Sequence, residues 1–341
     1  MKRSVATMRL AIVLAFVFGS MPMAAQTPAA APKKAPAKAY TPPQTPWGDP
    51  DLAGVYTNKD ENGIPVERPS QFDGKKLDDV DESEFTEIVK ARNEASVARA
   101  PGIGGAETGA GPVHWYEHYD AKNSRPWLIT DPADGRIPPT TREAEQRAAS
   151  RAAARTGRGP ADSYEDRSLY DQCITRGLPG SMMPAIYGNS YQIHQSPGVV
   201  AIRYEMIHET RIIPLDQREH VGSKIQTYMG DARGHWDGST LVVETTNFLP
   251  QAANRGASEK LRLVERFKPV GPNRVEWSVT FEDAATWARP WTFAMNLTKD
   301  ATQAPFEYAC HEGNYGLHNI LSAARAEDKG EQGTPAPQTG R

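Results

Sequence analysis

At 341 residues, with 39 Lys and Arg against 42 Asp and Glu and a net charge of −3, the chain is long enough for one large or two ordinary domains. It lacks the basic excess that a nucleic-acid partner demands, and no cluster of Lys and Arg stands out past its N-terminus. The one long apolar run, Leu10–Phe18, is too short to span a bilayer, so no transmembrane segment is predicted in the mature chain.

Lys2, Arg3 and Arg9 precede that run, and the small residues Ala24 and Ala25 follow it. Residues 1–25 therefore read as a signal peptide, which implies export to the periplasm or beyond. No cysteine adjoins the cleavage site, so no lipid anchor is expected. Residues 26–46, rich in Ala, Pro and Lys, predict an extended linker, and residues 327–341 predict a disordered polar tail. What remains, 47–326, is read as a single domain with a loop- and helix-rich part (47–189) and a strand meander (190–310).

Leu52–Thr57 predicts an opening strand, and its Gly54-Val55-Tyr56 is similar to the Gly-X-Trp entry of lipocalin-type barrels, with Tyr in place of Trp. Asp81 and Glu84 have the spacing of an N-cap and its reciprocal partner. Phe85, Ile88, Val89, Ala95 and Ala98 then recur at helical spacing as far as Arg99. Pro101–Pro112 is glycine-rich without the Gly-Lys-Ser/Thr ending of a phosphate loop, and reads as a plain loop. Val113–Tyr119 is aromatic and polar together, Trp127–Thr130 is a short apolar piece, and Asp131–Pro138 has turn chemistry. Thr140 or Thr141 then caps a surface helix rich in Ala, Arg and Glu through Arg155.

From Ser190 the pattern changes to short strands separated by turns: Ser190–Gln195, Val199–Glu205, Thr210–Ile213, Ile225–Met229, Thr240–Thr246, Lys260–Phe267, Arg274–Phe281 and Pro290–Leu297. Within Ile225–Phe248, Asp231–Asp237 reads as the turn between two strands. Eight strands suffice for an antiparallel sheet to close on itself. The alternation favours closure: Val275, Trp277, Val279 and Phe281 share one face, as do Trp291, Phe293, Met295 and Leu297. The same rule places Glu265 among Leu261, Leu263 and Phe267. A ninth strand, Phe306–Cys310, and a helix ending near Glu327 complete the pattern. The predicted fold class is mainly β, an antiparallel up-and-down β-barrel or strongly curved sheet of calycin-like shape with two or three peripheral helices.

The strings CITRGLPG, YMGDARGHWDGSTLVVETTNF, LVERF, RPWTF and YACHEGNYGLHNIL, with WGDPDLAGVY and DPADGRIPPTTREA, give the chain a resemblance to an uncharacterised family of exported bacterial proteins. The resemblance covers nearly the whole mature chain and implies export and one continuous architecture. It brings no activity and no catalytic residue with it.

Two cysteines, Cys173 and Cys310, in an exported chain predict a disulfide, against two buried thiols or a nucleophilic cysteine beside His311. His114 with His118 and His311 with His318 lack a metal-ligand pattern, and neither a metal nor another cofactor is predicted. No Gly-X-Ser-X-Gly turn occurs, and Ser181 is the nearest candidate nucleophile.

A small-molecule ligand is the expected partner. Aromatic rings with polar tips suit sugars, aromatic compounds and lipid-like molecules, and Trp236, His235, Arg203, Arg211, Tyr204, Asn314 and Tyr315 are the candidate ligand contacts at a barrel mouth. The competing expectation is an envelope hydrolase, lyase or isomerase using His311, Glu312, Asp237 and Glu265 for acid–base work. There, Glu265 either has a raised pKa or is neutralised by Arg203, Arg211, Arg266 or Arg289. A structural or protein-interaction role in the envelope is the third class.

Overall fold

The computed structural model describes residues 40–98, 125–185, 187–302 and 306–330. The predicted signal peptide, most of the linker, Pro101–Pro112 and Val113–Tyr119 lie outside them, as does the tail from residue 331. The folded part begins earlier than the expected linker end, because Thr45 is nearly buried and the Asp51 amide donates to the Pro43 carbonyl at 2.8 Å.

Ten strands are present: β1 (Gly54–Thr57), β2 (Ile129–Asp131), β3 (Ser190–Ser196), β4 (Val199–Tyr204), β5 (Thr210–Pro214), β6 (Asp231–Asp237), β7 (Thr240–Thr246), β8 (Arg262–Gly271), β9 (Arg274–Glu282) and β10 (Trp291–Lys299). They form one sheet in the order β5-β4-β3-β1-β10-β9-β8-β7-β6, with β2 paired to β10 off that path. Every ladder is antiparallel. Apart from β2, each strand pairs with the next one in the chain except β5 with β6, which end the order, and β1 pairs with β10. Such an order rolls the sheet into a nearly closed up-and-down barrel with a seam between β5 and β6.

The strand alternation that predicts closure is observed. Leu263, Glu265, Phe267, Val275, Trp277, Val279, Phe281, Trp291, Phe293, Met295 and Leu297 are all buried. The Phe281 and Trp291 rings stack at 4.1 Å, and Trp287 of the β9–β10 connection meets both edge-on at 5.6 Å. This part of the barrel is packed solid with rings.

The structure corrects the sequence reading at three places. Ile225–Met229 is not a strand; it contributes one bridge, Thr227 to Phe248. The residues read as a turn, Asp231–Asp237, are β6 itself, and the turn is only Gly238-Ser239, with Gly238 at φ +59°. The inward positions of β6 include Ala232 and Gly234, too small to show as a hydrophobic period. Gly234 has a steric reason: a Cβ there would come within 2.7 Å of Ile213 of β5 and of Leu215, the side chains that fill the seam. Phe306–Cys310 also forms no strand.

Three helices flank the barrel: α1 (Glu82–Ala98), α2 (Arg142–Ala154) and α3 (Tyr315–Asp328). Asp81 accepts from the Ser83 amide at 2.7 Å, whereas Glu84, expected to complete the cap, pairs instead with Lys75 at 2.7 Å. Thr141 caps α2, and Arg147 ties that helix to the β9–β10 connection through Thr286 at 2.7 Å and the Ala285 carbonyl at 3.0 Å.

Gly230, immediately before β6, has φ +70°, and a Cβ there would lie 2.5 Å from the Thr246 carbonyl oxygen. Strain and a backbone clash act together, so Gly230→Ala is expected to lower stability by about 2–4 kcal/mol. Urea denaturation of the two proteins checks it, and a cost below about 1 kcal/mol contradicts the close approach.

Candidate functional site

The sequence candidates fall into three environments. The first is the barrel interior. Arg211 on β5 and Glu265 on β8 face each other there, with Nη1 donating to Oε2 at 2.6 Å and both side chains almost fully buried. Trp277 Nε1 donates to the other carboxylate oxygen at 3.1 Å. The Tyr204 hydroxyl, at the end of β4, is buried in the same region, and burial first, then Glu265 and Glu209, pushes its pKa well up, while Arg211 opposes. Burial alone pulls the Arg211 guanidinium down, but the Glu265 charge and hydrogen bond outweigh it and hold Arg211 cationic. Of the four arginines considered for Glu265, Arg211 is the partner. The arrangement is a buried ion pair, beside which Arg211 Nε and Nη2 and the Tyr204 hydroxyl make no hydrogen bond among the described residues. Ser181 is buried too, its hydroxyl donating to Glu209 at 3.2 Å.

The second environment is a groove of about 640 Å³ between residues 215–220 and β6, lined in part by His235 and Trp236. Asp237, at the end of β6, is exposed and paired with Arg266 at 2.5 Å, which holds its carboxyl below the usual range. Arg203 lies on the half-buried outer face of β4.

The third is a cleft of about 1240 Å³ between the Arg167–Cys173 segment and α3. The Cys173–Cys310 disulfide forms part of its wall, as the sequence led us to expect. Glu312 and Asn314 line it, while His311 and Tyr315 are exposed nearby. Asn314 holds this corner together. Its Nδ2 donates to Cys173 Sγ at 3.1 Å, and its side chain caps α3 at the Leu317 amide. Leu317, Ile320 and Ala323 present the apolar face of α3 to the cleft. On the other side, half-buried Tyr170, Tyr187 and Tyr308 are linked by side-chain hydrogen bonds, burial raising the pKa of each. The Tyr187 and Tyr308 rings stack at 6.4 Å, and the Arg176 guanidinium sits 5.4 Å from the Tyr170 ring. The Tyr170 hydroxyl also lies 3.9 Å from Met206 Sδ in the β4–β5 connection, so the cleft adjoins the barrel end where β4 finishes.

The four residues considered for acid–base chemistry are thus not gathered. Glu265 is inside the barrel, Asp237 is at the β6–β7 hairpin, and His311 and Glu312 precede α3. The sequence reading missed the tyrosine triad, whose members come from three coil segments without a common period. It also left His220 without a partner, although the structure pairs it with Asp231 at 2.9 Å.

No family model and no curated protein matches the chain. Among solved structures, the chain is similar to a secretary abundant heat soluble (SAHS) protein from Ramazzottius varieornatus. The match has 13% identity and a TM-score of 0.24, covering 39% of this chain and 87% of that one. Among the described residues, no helix is long and apolar enough to cross a membrane, and no group of three or more His, Cys, Asp or Glu is placed to hold a metal.

Proposed function

We propose that the chain is an exported protein that binds one small amphipathic molecule in the cleft between the disulfide-linked segments and α3, at the end of the barrel. The observation that carries this reading is the division of the cleft: an aliphatic wall from α3 faces a hydrogen-bonded cluster of phenols. An apolar body packs on Leu317 and Ile320, while a polar group meets the tyrosine hydroxyls. The solid aromatic packing within the barrel favours this end cleft over the interior as the binding place. Export is supported by the signal-like N-terminus and by a disulfide, which persists in oxidising compartments.

The test is a fluorescence titration of the mature protein with N-phenyl-1-naphthylamine, an apolar ring system with one amine. Saturable binding at one site is expected, with affinity reduced tenfold or more in Ile320→Asp and in Tyr308→Ala. Unchanged affinity in both variants, with native circular dichroism, would exclude the cleft.

A further inference from the structure

The groove beside β6 holds a second arrangement that the cleft does not use. Asp231 is fixed by three donors: Arg233 Nη1 at 2.6 Å on one oxygen, and His220 Nδ1 at 2.9 Å with the Val221 amide at 3.0 Å on the other. Burial opposes its ionisation, but these three partners outweigh burial and hold its carboxyl below the usual range. In the neutral ring, an ionised carboxylate at Nδ1 selects the tautomer whose proton sits on Nδ1, which leaves Nε2 of His220 as a hydrogen-bond acceptor. The His220 side chain is 26% exposed and lines the groove together with Trp236, whose half-buried ring offers a flat wall. On the rim, Arg218 engages Asp216 through Nε and Nη2, and its Nη1 makes no described contact. The carboxylate of Glu244 at the opposite side is neutralised by Arg262 at 2.7 Å.

We propose that this groove is a binding site for a single-ring aromatic acid bearing a hydroxyl. The ring lies against Trp236, the hydroxyl donates to His220 Nε2, and the carboxylate meets Arg218. A groove of about 640 Å³ takes a molecule of this size. His220 is then a proton acceptor positioned by Asp231, the pairing that general-base chemistry uses. The site is independent of the tyrosine cleft, and neither reading needs the other.

The experiment is calorimetric titration of the mature protein with 4-hydroxybenzoate, with the His220 ring nitrogens followed by NMR. Saturable one-to-one binding is expected, with the His220 resonances shifted and benzoate, which lacks the hydroxyl, at least tenfold weaker. His220→Gln and Arg218→Gln, both at the surface, are each expected to weaken 4-hydroxybenzoate at least tenfold while leaving the circular dichroism spectrum unchanged. No saturable binding at millimolar concentration, binding without movement of the His220 signals, equal affinity for benzoate, or undiminished affinity in His220→Gln would each overturn the proposal.

Discussion

Glu265→Ala is expected to destabilise the protein by about 3–5 kcal/mol, because it leaves the buried Arg211 guanidinium without a counter-charge in a ring-packed interior. The Trp277 indole loses its acceptor in the same step. The cost belongs to the uncompensated charge, since two apolar side chains of similar volume at these positions carry no such penalty. Arg211→Met combined with Glu265→Leu is therefore expected to recover most of the loss, and to exceed the sum of the single variants by several kcal/mol in a double-mutant cycle. Urea unfolding of the parent, Arg211→Met, Glu265→Leu and the double variant measures the cycle. Additive effects would mean that Arg211 is hydrated and that the seam between β5 and β6 admits solvent.

The second large effect concerns the disulfide. Cys173 and Cys310 are separated by 137 positions, and a cross-link over a loop of that length restricts the unfolded chain by about 5 kcal/mol. Cys173→Ser with Cys310→Ser is expected to lower the urea midpoint accordingly. It is also expected to weaken N-phenyl-1-naphthylamine binding by more than tenfold at temperatures where the barrel stays folded. The local reason is that none of the described side chains of α3 is fully buried. The helix is held beside the cleft by the disulfide, by Asn314 and by Arg325, which donates to the Ala161 and Asp162 carbonyls at 3.2 and 2.9 Å. A reduced protein that keeps full affinity would show that those polar contacts alone define the cleft.

The barrel was legible where its interior positions are large. In β8, β9 and β10 almost every second side chain is a ring, a branched aliphatic residue or Met295, so period and facing could be read directly, and Glu265 stood out as the charged residue among them. β6 was not legible because close approach at the seam requires Gly234, and a glycine carries no hydrophobic signal. The density of Asp, Arg and His on its outer face imitated a turn. Arg211 could be named as one of four partners for Glu265, but choosing it depends on which strands meet across the interior. Phe306–Cys310 alternates like a strand, yet its residues are held by the tyrosine cluster and the disulfide without any ladder partner. The cleft was half visible: Cys310, Glu312 and Asn314 are adjacent in sequence, while Tyr170, Tyr187 and Tyr308 meet only through the fold.

The place of β1 between β3 and β10 governs how the molecule is made. Tyr56 finds its neighbour in Tyr191 on one side and in Lys299 on the other, so the ring of strands stays open until nearly the whole folded chain is present. Pairings of such long range set slow folding rates, and a strand of four residues gains little until both flanks are covered. A partly synthesised chain thus keeps an unclosed sheet, and the joining of β1 to β10 is the event that unites its two arms.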